Sequence, residues 1–187
     1  MLDVDVVLEE VVHALKEDVG PEDITAALIP HHACGSAVIL SREPMTVCGI
    51  PWVNQVFQVI DSKIKIHWQV AEGDVLSEPM ILARLTGSVR GILTAERTAL
   101  NFLQTLSGVA TETRRYVLNL EGTQAKLLDT RKTLPGLRQA LKYAVTWGGG
   151  VNHRMGLFDA VLIKENHINA CGSIQNAVEI ARQRGLG

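Results

Sequence analysis

From residue 123 onward, short apolar runs alternate with amphipathic helical stretches, and this order constrains the fold more than any other feature of the 187-residue chain. Ala125–Asp129 is an apolar run closed by an acid. A helix is predicted from about Pro135, with proline in its first turn and Leu137, Leu141, Ala144 and Val145 facing inward. Ala160–Ile163 is a second apolar run, closed by Lys164, and Ser173 is placed to cap a further helix carrying Ile174, Ala177, Val178 and Ala181 on one face. Strand, helix, strand, helix opens a parallel α/β layout, in which chemistry gathers at the carboxyl ends of the strands. Thr130, Arg131 and Lys132 follow the first run directly and Lys164 ends the second, so the charges sit where such folds place sites. Two strands cannot close a barrel and leave an open sheet edge. The segment 123–187 therefore reads as the first part of an incomplete α/β barrel.

The preceding residues have a different grammar. Val4, Leu8, Val11, Val12 and Leu15 fall on one face of a helix predicted over 3–16, which Gly20-Pro21 ends. Residues 36–50 contain two apolar runs around Arg42-Glu43-Pro44, read as a strand pair, and Pro51 opens a helix to about Ile60. Ile64, Ile66, Trp68 and Val70 alternate with Lys63, Lys65, His67 and Gln69, the period of a half-buried strand. Glu72-Gly73-Asp74 marks a turn, and another strand follows near 79–86. Residues 1–90 thus form an α+β N-terminal domain. Residues 91–122 read as a helical linker of two helices, with a break at Ser107-Gly108 and a polar face of Arg97, Asn101 and Gln104.

Composition excludes several classes. Hydrophobic residues are 47% and charged residues 20%, the balance of a soluble globular protein. No apolar stretch approaches a membrane span, and the acidic start Met1-Leu2-Asp3-Val4-Asp5 is unlike a signal peptide, so the expected location is cytoplasmic. The three cysteines, Cys34, Cys48 and Cys171, form no CxxC pair and read as free thiols. Aromatics are 4%, with no basic helix interleaved by them, which disfavours nucleic acid. The net charge of −2 conceals a cationic segment: residues 125–164 hold seven basic side chains against two acidic ones, a local +5. That asymmetry points to an anion site.

Three stretches carry candidate chemistry. Asp129-Thr130-Arg131-Lys132-Thr133 puts a guanidinium fork and a compact ammonium on a strand-to-helix loop. Trp147-Gly148-Gly149-Gly150-Val151-Asn152-His153-Arg154 offers three glycines whose N–H groups could face an anion, then a polar ring and a fixed charge. Lys164-Glu165-Asn166-His167 follows the second run. His153 and His167 have no companions at metal-ligand spacing. Val70–Leu76 is similar to the turns of biotin and lipoyl carrier domains, but Lys63 and Lys65 lie within the alternating strand and not on an exposed hairpin.

These stretches, together with Leu93-Thr94-Ala95-Glu96-Arg97-Thr98-Ala99-Leu100-Asn101-Phe102, Leu106-Ser107-Gly108-Val109-Ala110-Thr111 and Leu134-Pro135-Gly136-Leu137-Arg138, resemble quinolinate phosphoribosyltransferase over about residues 90–170, in that family's order and spacing. The resemblance implies transfer of a phosphoribosyl group from phosphoribosyl pyrophosphate to quinolinate with Mg²⁺, releasing pyrophosphate and CO₂ and giving nicotinate mononucleotide in NAD synthesis. It implies a homodimer in which Arg97 is donated across the interface. By position, Arg131, Lys132, His153, Arg154 and Lys164 match residues that hold quinolinate, with Lys132 and Lys164 also in the catalytic role, and Thr130 matches a contact beside them. Two departures stand out. Trp147 occupies a place where the family usually has a smaller residue. The family's acidic Mg²⁺–pyrophosphate ligands and later phosphate loops lie beyond residue 187, so no metal ligand is expected in these residues and turnover by them alone is expected to be impaired. A dicarboxylate-binding protein without turnover, or a related pyrophosphorylase acting on another aromatic acid, is the alternative.

Overall fold

The computed structural model describes residues 2–185. Helix α1 (Val4–Asp18) starts at Asp3, whose carboxylate accepts the Asp5 N–H. It docks through a narrow stripe of Val7, Val11 and Leu15, while Val4, Leu8 and Val12 of the predicted face stay exposed. Strand β1 (Cys34–Leu40) does not pair with the next short strand, β2 (Met45–Thr46). The expected local strand pair is thus replaced by two separate sheets. Helix α2 (Ile50–Ile60) and strands β3 (Lys65–Trp68), β4 (Val75–Leu76) and β5 (Ile81–Ser88) complete the set. An antiparallel sheet in the order β1-β5-β3 places Ala37 opposite Leu85 and Ile66 opposite the same residue, while β2 pairs with β4. Strand β5 lies between two partners, which satisfies both its backbone edges, and its Leu82, Ala83 and Leu85 are buried in the core.

Helix α3 (Val89–Leu118) is continuous through Ser107-Gly108, where the sequence predicts a break. The reason is in the partner of Ser107. Its hydroxyl donates to the Cys48 carbonyl at 2.9 Å and accepts the Cys48 N–H at 3.0 Å, so it is spent across the core and does not compete for its own helix backbone. Glycine at 108 costs about 1 kcal/mol of helix propensity, which tertiary packing of Ala95, Ala99, Phe102, Leu103, Leu106 and Ala110 outweighs. The helix is the spine of the molecule: α2 and the strands pack on one part of it and α4 (Arg138–Trp147) on another.

Beyond α3 the regular strands predicted at Ala125–Asp129 and Ala160–Ile163 are absent from the described residues. The first run makes a single parallel bridge, Leu128 to Val151, in which Val151 donates to Leu127 at 2.9 Å and Asp129 donates to Val151 at 3.1 Å. Its partner is therefore the residue after the triple glycine and not the second apolar run. Ala160–Ile163 has no backbone ladder among the described residues, and Val161 and Leu162 are exposed. A strand owes its geometry to a neighbour's hydrogen bonds, and alternation of side chains cannot supply them. Two short helices, α5 (Glu165–Cys171) and α6 (Ile174–Gln183), follow. Ser173 caps α6 as expected by accepting the Asn176 N–H, and Ala177 is its buried residue, whereas Ile174 is exposed.

Candidate functional site

The cationic segment is organised around a buried ion pair. Lys142, on α4, is 1% exposed, and its Nζ lies 2.5 Å from Asp129 Oδ1. It also donates to the His153 carbonyl at 3.0 Å. Asp129 Oδ1 accepts the His153 N–H at 2.8 Å. With its amide turned so that nitrogen faces acceptors, Asn152 donates to Asp129 Oδ2 at 2.7 Å and to the Lys142 carbonyl at 2.9 Å. One helical turn earlier on α4, Arg138 donates from Nε to Thr133 Oγ1 and from a terminal nitrogen to the Met155 carbonyl, both at 3.2 Å. Residues 138 and 142 share a helical face, so α4 fastens two arms of chain, 129–133 and 152–155, from the same side.

Each arm carries the predicted cations. On the first, Thr130 Oγ1 accepts the Lys132 N–H at 3.0 Å and shapes the loop. Lys132 is exposed, and Arg131 is half-buried with its Nε enclosed and unpartnered among the described residues. On the second, His153 Nδ1 accepts the Arg154 N–H at 2.7 Å, which leaves Nε2–H as the donor of the neutral ring. Arg154 also reaches the Ala160 carbonyl at 3.3 Å. Asp159 accepts the Met155 and Gly156 N–H groups at 2.6 and 2.8 Å, and these hold its carboxyl below the usual 3.8. The structure thus brings Thr130, Arg131, Lys132, His153 and Arg154 into one neighbourhood. Arg97 is exposed on α3, and Lys164 is exposed at the start of α5, where its N–H is accepted by His167 Nδ1 at 3.0 Å. No hydrogen bond or ion pair among the described residues joins either to the other five.

The triple glycine has a different purpose from the one its composition suggests. The N–H groups of Gly148, Gly149 and Gly150 donate to the carbonyls of Ala144, Thr146 and Val145, at 3.0, 3.0 and 2.9 Å. They close the C-terminus of α4 and are not available to an anion. A Cβ at Gly148 would stand 2.5 Å from the Ala110 carbonyl oxygen and from Thr113 Cβ, and one at Gly150 2.7 Å from Val145 Cγ1. The glycines let α4 end hard against α3, which directs the chain into the Leu128–Val151 bridge.

Lys142, Asp129, Asn152 and Arg138 are the members that the sequence reading did not assign. The available signal was the i, i+4 spacing of Arg138 and Lys142, with Ala140 and Ala144 alongside leaving room for a long buried side chain. No group of three or more His, Cys, Asp or Glu side chains among the described residues could hold a metal ion. Asp129 is committed to Lys142 and Asp159 to backbone N–H groups.

Fold and site together define an α/β protein in which one helix fastens two cation-bearing arms of chain. A model of the quinolinate phosphoribosyl transferase N-terminal domain matches residues 23–107, and one of the C-terminal domain matches 109–185. The chain is 42% identical over 171 residues to a probable nicotinate-nucleotide pyrophosphorylase (carboxylating) of Bacillus subtilis, covering 91% of this chain and 59% of that protein. It is 42% identical over 179 residues to the chloroplastic nicotinate-nucleotide pyrophosphorylase (carboxylating) of Arabidopsis thaliana, covering 92% and 51%. The structure of the nicotinate-nucleotide pyrophosphorylase from Francisella tularensis superposes with a TM-score of 0.94 at 46% identity, over 98% of this chain and 65% of that one. The chain belongs to the quinolinate phosphoribosyltransferase family. It spans between half and two thirds of the length of these relatives.

Proposed function

We propose that this chain carries the acid-binding part of a quinolinate phosphoribosyltransferase, which joins quinolinate to phosphoribosyl pyrophosphate and yields nicotinate mononucleotide, pyrophosphate and CO₂. The observation that carries this reading is the pair of arms held by α4, one with Arg131 and Lys132, the other with His153 and Arg154. Quinolinate is a dianion with carboxylates on adjacent ring carbons. Arg131 can take a carboxylate bidentately, Lys132 adds a point charge, and the His153 Nε2–H and Arg154 serve the other side. Such a set fixes the ring plane and aims the ring nitrogen at the ribose carbon it must attack. Fixed cations beside the carboxylate that departs also favour the negative charge its loss leaves on the ring.

Lys164, with Lys132, takes the catalytic role in this reading, and Thr130 shapes the first arm. Arg97 completes the pocket of a neighbouring subunit in a homodimer, consistent with its exposed place on α3. We assign 1–90 to an N-terminal domain, 91–122 to a helical linker and 123–187 to barrel units. In this reading the described residues bind and orient the acid, and Mg²⁺ serves the pyrophosphate. We assign the protein to the cytoplasm, and no helix of the described residues is long and apolar enough to cross a membrane.

The test is a calorimetric titration of the 187-residue protein with quinolinate, followed by an assay of nicotinate mononucleotide with phosphoribosyl pyrophosphate and Mg²⁺ added. Quinolinate binding that is lost in Arg131→Ala and Arg154→Ala supports the assignment. Wild-type protein that does not bind quinolinate sinks it.

A further inference from the structure

The Lys142–Asp129 pair needs an account that stability does not supply. Both side chains are nearly inaccessible, at 1% and 6% exposure, so neither can meet a ligand arriving from solvent. A buried ion pair is often no more stabilising than well-packed apolar residues of the same volume. Each end of this pair is nevertheless bonded to both arms of the site. Lys142 Nζ touches Asp129 of the first arm and the His153 carbonyl of the second, and Asp129 takes the His153 N–H. The pair also removes a local competitor. Asp129 lies two residues before Arg131, and a carboxylate without Lys142 would draw that guanidinium inward. The ion pairs among the described residues are Lys142–Asp129 and the exposed Arg115–Glu112, so Arg131, Lys132 and Arg154 are not spent on internal carboxylates.

We infer that Lys142 is a positioning residue that sets the separation of the two cationic arms, and thereby makes the site selective for a vicinal dicarboxylate over a monocarboxylate. This inference rests on the dicarboxylate reading of the site. It reaches further, because it assigns selectivity to a side chain that touches no ligand. With the hub in place, Arg131-Lys132 and His153-Arg154 are presented at one fixed spacing, and two adjacent carboxylates engage both arms. A single carboxylate needs one arm alone and is indifferent to the spacing.

The experiment compares quinolinate with nicotinate, the same ring with one carboxylate, by calorimetry on wild type and Lys142→Met. The ratio of the two affinities is the quantity of interest. Loss of folded protein weakens the apparent binding of both ligands by the same factor and leaves the ratio unchanged. A shift of one arm against the other lowers the ratio by about tenfold or more, the size of one charge-assisted hydrogen bond. Lys142→Met strands a buried carboxylate, so the Asp129→Asn, Lys142→Met double variant, which buries no net charge, is measured beside it. If the single variant does not fold, the double variant decides. Hydrogen exchange at the His153 amide, which donates to Asp129 in the wild type, should accelerate in the variants. A folded variant that keeps the wild-type ratio overturns the positioning role and leaves the site assignment intact. Wild type that binds both acids equally overturns the dicarboxylate reading, and this inference with it.

Discussion

The indole of Trp147, at the end of α4, stands beside Gly73 in the turn before β4, so closely that a Cβ on Gly73 would run into its ring. Gly73 has φ of +86°, so the turn already favours glycine for its backbone. Trp147 also meets Tyr143 edge-on at 6.0 Å, and Tyr143 meets Trp52 at 5.1 Å. Trp147 is thus an aromatic contact between the turn that leads into β4 and the helix that holds the two arms.

Gly73→Ala should therefore destabilise the protein by about 2–4 kcal/mol, through overpacking and an unfavourable φ together. Trp147→Ala should cost less, because the residue is 40% exposed. The double variant should be more stable than the sum of the two predicts, since removing the indole removes the clash and leaves only the φ penalty. Urea unfolding of the four proteins measures the coupling, and strict additivity would show that the ring is not what Gly73 accommodates.

Ser107→Ala should cost about 1–3 kcal/mol, the penalty for leaving buried polar groups unpaired. The Cys48 N–H and carbonyl both rely on the Ser107 hydroxyl, and both residues are fully buried. Ser107→Thr keeps the hydroxyl and should lose less, unless the added methyl overpacks. Equilibrium denaturation of both variants gives the comparison.

Glu72 caps the start of α2, taking the Gly49 N–H at 2.6 Å and the Ile50 N–H at 2.9 Å. Burial pushes its carboxyl above the ordinary 4.5, with those N–H groups opposing. A folded value raised above the unfolded one means that the protonated acid contributes stability in full below about 4.5, and that this contribution is lost as pH rises through the folded value. Glu72→Gln cannot ionise. The stability of the wild type relative to Glu72→Gln should therefore fall as pH is raised from 4.5 toward neutrality, before levelling off. Chemical denaturation at stepped pH checks the sign, and a relative stability that rises over that range would contradict it.

Local pattern made much of the chain legible. The two-residue period of 63–70 located β3, the apolar stripe located α1, and Pro51 marked the start of α2, because these signals depend on neighbouring residues. The family motifs likewise drew attention to Arg131, Lys132, His153 and Arg154 as a polar and cationic set before any geometry was known. The misreadings share one cause. Ser107-Gly108 reads as a break until Cys48 is seen to occupy the serine hydroxyl. Gly148–Gly150 reads as an anion cradle until its N–H groups are seen to close α4 against Ala110 and Thr113. Ala160–Ile163 reads as a buried strand, but no backbone partner meets it among the described residues.

By itself, then, the sequence determined the periodic elements, the family and the identity of the cations. Propensity, hydrophobic period and charge are written residue by residue. Tertiary structure alone decided how those cations are held. Lys142 looks like one more member of a basic segment, and Asp129 like the acid that ends a strand, 13 residues apart. Their fate depends on α4 folding back over both arms, which turns two surface-type charges into a buried pair and leaves Arg131, Lys132 and Arg154 unpaired with it. Long-range pairing of that kind is settled by which groups can be desolvated together, and no local pattern records it.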